Sequence, residues 1–287
     1  MPSSFQYTRR PSTTEARRKN HRQATRVLVG IVTVALLSAT GCSSMPKRME
    51  DDESFDKAPY GLHRDIGIAL LNANQPAQAL PHFRRLERMR PESSEPYYLL
   101  ARVYTSLKLH ELAEPALEQA IAVDPEYAAA HAALGILLDA AGRHECAGEA
   151  HARAIELDSR QAAYHNNMGF NSFLRERHEQ ALAAYQRALA LEPHSRRIHN
   201  NLGFVYGALG DLERAKRHFH KGGTAALAKN NLGLVHETRG NLGAAHRLYL
   251  EATMNDPSLS QARSNLVRVC EALGRPVPAF PTEGEEQ

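Results

Sequence analysis

The sequence predicts an all-α protein, a solenoid of antiparallel helix pairs, and three observations carry that prediction. A pattern of small, aromatic and proline residues returns at a 34-residue interval; apolar positions between the returns have helical spacing; and the chain is rich in Ala and Leu while lacking Trp. The pattern is plainest in Ala162–Ser195. Gly169 lies seven residues in, Ala181 twelve further on, Tyr185 four later, then Ala188 and Pro193. Small residues at those offsets let the two helices of a hairpin approach closely. The proline ends the second helix because it lacks an N–H and clashes with the preceding turn. Hydrophobic residues are 43% of the 287 and aromatics only 6%, so the core must be built of Ala and Leu with a few Tyr and Phe.

Laid outward, the frame gives units at 60–93, 94–127, 128–161 and 162–195, a short unit at 196–225, and a sixth at 226–259. The small residue of the first helix is Gly67, Ala101, Gly135, Gly169, Gly203 and Gly233; that of the second is Ala79, Ala113, Ala147, Ala181, Ala215 and Ala245. Terminating prolines stand at Pro91, Pro125, Pro193 and Pro257, and Asp158-Ser159 takes their place in the third unit. Turns inside the pairs carry Gly142, Gly210 and Gly240, whereas Asn74, Lys108 and Glu176 make the other three less relaxed. The short fifth unit predicts a truncated second helix running into Gly222-Gly223. Residues 260–273 read as a capping helix with polar Gln261, Ser264, Arg268 and Glu271, and 274–287 as a flexible tail.

Period and pattern resemble the tetratricopeptide repeat. That resemblance implies stacked helix hairpins, with the first helix of each repeat lining a concave groove through its fifth, sixth, ninth and twelfth positions. Here those positions hold Asn166, Asn167, Phe170 and Phe173 in the fourth repeat, Asn200, Asn201 and Phe204 in the fifth, and Asn230, Asn231 and Leu234 in the sixth; Ser264 and Asn265 follow in the cap. An amide both donates and accepts, so a ladder of them suits the backbone of an extended peptide, with Phe and Leu forming side-chain pockets. It resembles the asparagine ladders of other helical-repeat peptide binders. Asn before Leu-Gly or Met-Gly also fits a purely structural role, satisfying neighbouring backbone. The carboxylate clamp of other such repeats needs clustered cations, and Arg64, Arg102 and Arg197 are too scattered.

The N-terminus has a different character. A basic stretch to Arg26 precedes the apolar run Val27–Ala39 and then Thr40-Gly41-Cys42. Basic, apolar, then small is the layout of a secretory signal, and the run is short of the roughly 20 residues a membrane span needs. The Ala-Thr-Gly-Cys end resembles a bacterial lipobox, although Ala39 stands where that family prefers Leu and the basic region is long. The resemblance implies a signal peptide over 1–41, lipidation (palmitate among the acyl chains) at Cys42, a disordered tether over 42–59 and, with Ser43 next, the periplasmic face of the outer membrane. Residues 1–41 hold seven Lys and Arg and one acid. The formal +3 of the whole chain then becomes 28 basic against 31 acidic residues, without a nucleic-acid footprint.

Catalysis finds no support in the motifs. No Ser-His-Asp set, phosphate loop or paired carboxylates appear, and Cys146 and Cys270 have no nucleophile-like setting. His63, His131, His165 and His199 share the fourth position of their repeats, one repeat apart, too far to share an ion, so no metal or cofactor is expected. The reading is a non-catalytic protein-interaction scaffold on a lipid anchor, taking a protein or extended peptide and no small-molecule substrate. Its plan resembles tight-adherence and type IV pilus assembly lipoproteins, which implies pilus or secretion-machinery assembly. An adaptor that recruits cell-wall hydrolases or proteases is the alternative, and an accessory to an enzyme activity a more distant one.

Overall fold

Alternation of apolar helical faces with Gly, Asn or Pro turns produces a chain in which, among the described residues, every long element is a helix. The computed structural model describes Phe55 and residues 57–278. Six hairpins follow one another: α1 Tyr60–Asn72 with α2 Pro76–Met89, α3 Ser94–Ser106 with α4 His110–Val123, α5 Ala128–Ala140 with α6 His144–Leu157, α7 Ala162–Leu174 with α8 His178–Leu191, α9 Arg196–Ala208 with α10 Leu212–Gly222, and α11 Ala225–Thr238 with α12 Leu242–Asn255. A single helix, α13 Ser260–Leu273, closes the stack. Each helix packs on its chain neighbours. From α3 onward the first helices of successive hairpins also touch one another more closely than the second helices do, which puts them on the inner side of the stack.

The hairpins close on one recurring contact. Gly169 faces the buried Tyr185 ring so closely that a Cβ there would lie 2.7 Å from it. Gly67 meets Phe83, Gly203 meets Phe219 and Gly233 meets Tyr249 in the same way, while Gly135 meets His151. The second hairpin has Ala101 with Leu117, both buried, because a branched aliphatic leaves room for a methyl where a ring does not. The size of one partner therefore dictates the other.

Turns follow the local chemistry. Gly142, Gly210 and Gly240 adopt φ of 73°, 87° and 75°, and Asn74, Lys108 and Glu176 are forced into the same left-handed region at 58°, 59° and 57°. Between hairpins, the residue four places into a first helix ties down the preceding loop. Tyr97 Oη donates to the carbonyl of Pro91 at 3.0 Å, and ring Nε2 atoms bond the carbonyls six residues back at His131 (Pro125, 3.0 Å), His165 (Ser159, 2.8 Å) and His199 (Pro193, 3.2 Å). These side chains are loop fasteners, a role beyond the packing expected from their spacing.

Helix α10 has 11 residues where the other second helices have 14. It ends at buried Gly222, whose carbonyl accepts from Asn200 Nδ2 at 2.9 Å. The signal-like segment 1–41, Cys42, most of the tether and residues 279–287 of the tail lie outside the described residues. One part of the tether differs from expectation: Phe55 is buried, its carbonyl 2.8 Å from His63 Nε2 and its ring against His63 and His82. An aromatic ring next to an unfilled end of a solenoid gains more from packing there than from solvent. No helix of the described residues is long and apolar enough to cross a membrane.

Candidate peptide-binding face

The amides singled out by the repeat frame do form a ladder, and it runs mainly between helices. Asn201 Nδ2 donates to Asn166 Oδ1 at 2.9 Å, Asn231 Nδ2 to Asn200 Oδ1 at 3.3 Å, and Asn265 Nδ2 to Asn230 Oδ1 at 2.8 Å. One rule covers all three: the sixth position of a first helix donates to the fifth position of the preceding one. Adjacent first helices lie close enough for two short amides to meet, and neither can be left unpaired once water is excluded. Asn166, Asn230 and Asn231 are buried, and Asn230 also donates to Asn231.

The rule leaves one rung open. Asn167 would donate to the fifth position of α5, and that residue is Ala132, which has no acceptor. Asn167 is half-buried and has no hydrogen-bond partner among the described residues. Beside it, Phe170 is 46% exposed, and Ile136, in the same ninth position one repeat earlier, is 50% exposed. The remaining apolar residues of the set are more occupied. Phe204 stands edge-on to Phe219 at 4.9 Å, Phe173 packs near His178 at 5.6 Å, and Leu234 rests on the core of the last hairpin. At the cap end, Arg268 grips Glu237 through two bonds of 2.9 and 2.8 Å, which holds the Glu237 carboxyl below its usual range. The open part of the face is therefore Ile136, Asn167 and Phe170.

Sequence reasoning passed over two features here. Ile136 follows Gly135 in the frame and was legible as a ninth-position residue. The other is a polar cluster at the junction of the third and fourth repeats. Buried Asp139 accepts from His144 Nδ1 at 2.9 Å, meets His151 Nε2 at 3.1 Å and accepts from Asn171 Nδ2 at 2.7 Å. Burial pushes His151 down and the Asp139 carboxylate opposes that shift. His151 occupies the place where other hairpins put a ring or Leu117, the one signal in the sequence that something polar was buried there. Asn171 crosses from α7 to α5 and α6, so the cluster is a joint between repeats. Cys146 is exposed and Cys270 buried, both as free thiols.

Family profiles agree with this geometry. A profile described as tetratricopeptide repeat matches residues 64–116 and 110–163, and one described as TPR repeat matches 173–210. Over those residues the chain matches the tetratricopeptide repeat. Sequence comparison with curated proteins returns no match. Among solved structures, the repeat fold is shared with PilW, described as a widely conserved type IV pilus biogenesis factor, at 18% identity and a TM-score of 0.63 over 72% of this chain and 98% of that one. PilF of Pseudomonas aeruginosa matches at 17% identity and 0.59 over 73% and 97%. The Cut9–Hcn1 hetero-tetramer of the APC/C matches at 20% and 0.62 over 77% and 44%. At such identities the likeness is one of fold.

Proposed function

We propose that this chain is a non-catalytic scaffold that holds an extended segment of a protein partner on the face of its first helices. One observation carries the reading. Large apolar side chains stand in solvent at the same position of adjacent repeats, Ile136 and Phe170, beside an amide, Asn167, that no neighbour satisfies. Exposed apolar groups beside a free donor and acceptor suit an extended peptide, which offers both backbone amides and side chains. Tetratricopeptide repeats generally serve protein interaction, which supports the reading.

The location and pathway are finer proposals. The basic, apolar and small run ending at Cys42 supports a cleaved signal and a lipid on that thiol, which would put the repeats at the periplasmic face of the outer membrane. PilW and PilF build this fold over nearly their whole length, and pilus or secretion-machinery assembly is the role we assign on that likeness and on the lipobox. The test is fractionation and metabolic palmitate labelling of wild type and Cys42→Ser, followed by crosslinking capture from native membranes. Labelled wild type in the outer membrane with secretin or pilus components attached, and unlabelled soluble variant, supports the assignment. Unlabelled, soluble wild type removes the anchor; a peptidoglycan hydrolase as principal partner replaces the pathway.

A further inference from the structure

The mildly acidic balance of residues 42–287 conceals a strongly basic segment. Between His194 and Lys229 the chain holds seven Lys and Arg (Arg196, Arg197, Arg214, Lys216, Arg217, Lys221 and Lys229) and only two acids, Asp211 and Glu213. The first of those acids is already in use: Asp211 caps α10 by accepting from the Arg214 N–H at 2.9 Å and pairs with the Arg214 side chain at 3.2 Å. Lys229 pairs with Glu251 at 2.9 Å. Among the described residues, no carboxylate stands within 4.0 Å of the charged nitrogens of Arg196, Arg197, Lys216, Arg217 or Lys221.

One of those cations, Lys221, lines a cleft. It has a volume of about 680 Å³ and is lined by Gln186, Leu189 and Ala190 of α8, Pro193 and His194 of the following loop, His199 of α9 and Lys221 of α10. The lining includes the last turn of the shortened helix, where Gly222 ends α10 early. Glu192, next to Pro193 in the chain, is not part of the lining.

The imidazole at the back of the cleft is committed elsewhere. His199 Nε2–H donates to the Pro193 carbonyl, so its Nδ1 must accept, and His218 Nδ1–H donates to it across 3.1 Å. A pair bonded in this way is neutral and does nothing to cancel the charge of Lys221. Leu189, Ala190 and Pro193 give the lining an apolar part, and Lys221 adds a positive charge to it. An aliphatic stem ending in a carboxylate matches that division better than a bare inorganic anion, and the volume lies within the range of sites that enclose a ligand of several heavy groups.

We propose that the cleft at the junction of the fourth and fifth repeats is a second binding site, distinct from the Ile136–Phe170 face, which takes a glutamate- or aspartate-rich segment of a partner polypeptide. The site reads charge, while the first-helix face reads apolar side chains. A partner engaging both is held at two points, which raises its avidity without new contacts at either.

The experiment uses the full chain and a fluorescein-labelled decapeptide of alternating Glu and Ala, with its Gln counterpart as control, followed by anisotropy at low and high salt. The Glu peptide binds, the Gln peptide does not, and Lys221→Gln/His194→Gln weakens binding at least tenfold while the melting temperature stays unchanged. Lys216→Gln serves as a matched loss of charge outside the lining and weakens binding by less than threefold. Equal binding to wild type and the double variant overturns the proposal, as does equal loss from Lys216→Gln. Absence of peptide binding, with saturable binding of inorganic phosphate or of phosphatidylglycerol vesicles instead, overturns it in favour of a phosphate or lipid headgroup. A groove ligand captured equally well by the double variant leaves the first-helix face standing whichever way this test falls.

Discussion

Asn201 donates its amide to Asn166 at 2.9 Å across the boundary between the fourth and fifth repeats. That bond divides the asparagines by role. Paired and buried amides join consecutive first helices, and Asn167, with Ala132 rather than an acceptor at the matching position, is the one we propose meets a ligand.

Asn230→Ala and Asn167→Ala should therefore fail in different ways. Asn230 is 1% exposed, and its loss strips a bond from Asn265 and from Asn231, so chemical denaturation should show a loss of about 1–3 kcal/mol. Asn167→Ala should melt within about 0.5 kcal/mol of wild type. Equal destabilisation by the two would erase the distinction.

The Gly169–Tyr185 contact makes a prediction about volume. Gly169→Ala should destabilise by about 1–2 kcal/mol through overpacking, despite the better helix propensity of Ala. Adding Tyr185→Leu recreates the Ala101–Leu117 pairing of the second repeat and should recover part of that loss. A double-mutant cycle reads the coupling, and strict additivity would contradict the fit described here.

At the turn after α7, Glu176 sits at φ 57° where three other turns use glycine. Glu176→Gly should raise stability by about 0.5–1 kcal/mol, since relief of the left-handed strain exceeds the added freedom of the unfolded chain. Thermal melts of the two proteins at equal concentration decide it.

Two imidazole pairs of the same design, His63 with His82 and His199 with His218, each at 3.1 Å, tie stability to pH. Burial pushes His218 down to about 4 from 6.5, and lowers His82 and His199 in the same direction. In that window the unfolded chain binds protons that the folded chain refuses, so stability is complete above about pH 6.5 and is lost as pH falls toward 4. His218→Gln keeps a donor for His199 without titrating. Melts between pH 7.5 and 4.5 should give a shallower slope for that variant; an unchanged slope would place the dependence elsewhere.

The fold was legible because the repeat writes its own packing rule: Gly67, Gly135, Gly169, Gly203 and Gly233 recur opposite a ring, and Ala101 opposite Leu117. The fourth-position histidines were recognised as a set, yet their bond to a carbonyl six residues back depends on loop geometry that spacing alone does not express. The asparagines were found by position. Which of them is free depends on the residue one repeat earlier, so Ala132 decides the state of Asn167. Asp139 and Asn171 meet only through packing between hairpins, 32 positions apart in the chain. The basic character of α10 was hidden by a charge count taken over the whole chain.

The central claim is that the Ile136–Asn167–Phe170 face holds an extended polypeptide. Its most direct test is a photo-crosslinking phenylalanine placed at Phe170 in the full chain, compared with the same probe at Met254, which is 74% exposed on the second helix of the last hairpin. The account predicts one discrete adduct from position 170, mapped to a short linear segment of the partner, absent from position 254 and abolished by Ile136→Ser/Asn167→Ala. Adducts of equal yield from both positions, or an adduct at 170 that survives the double substitution, would contradict it.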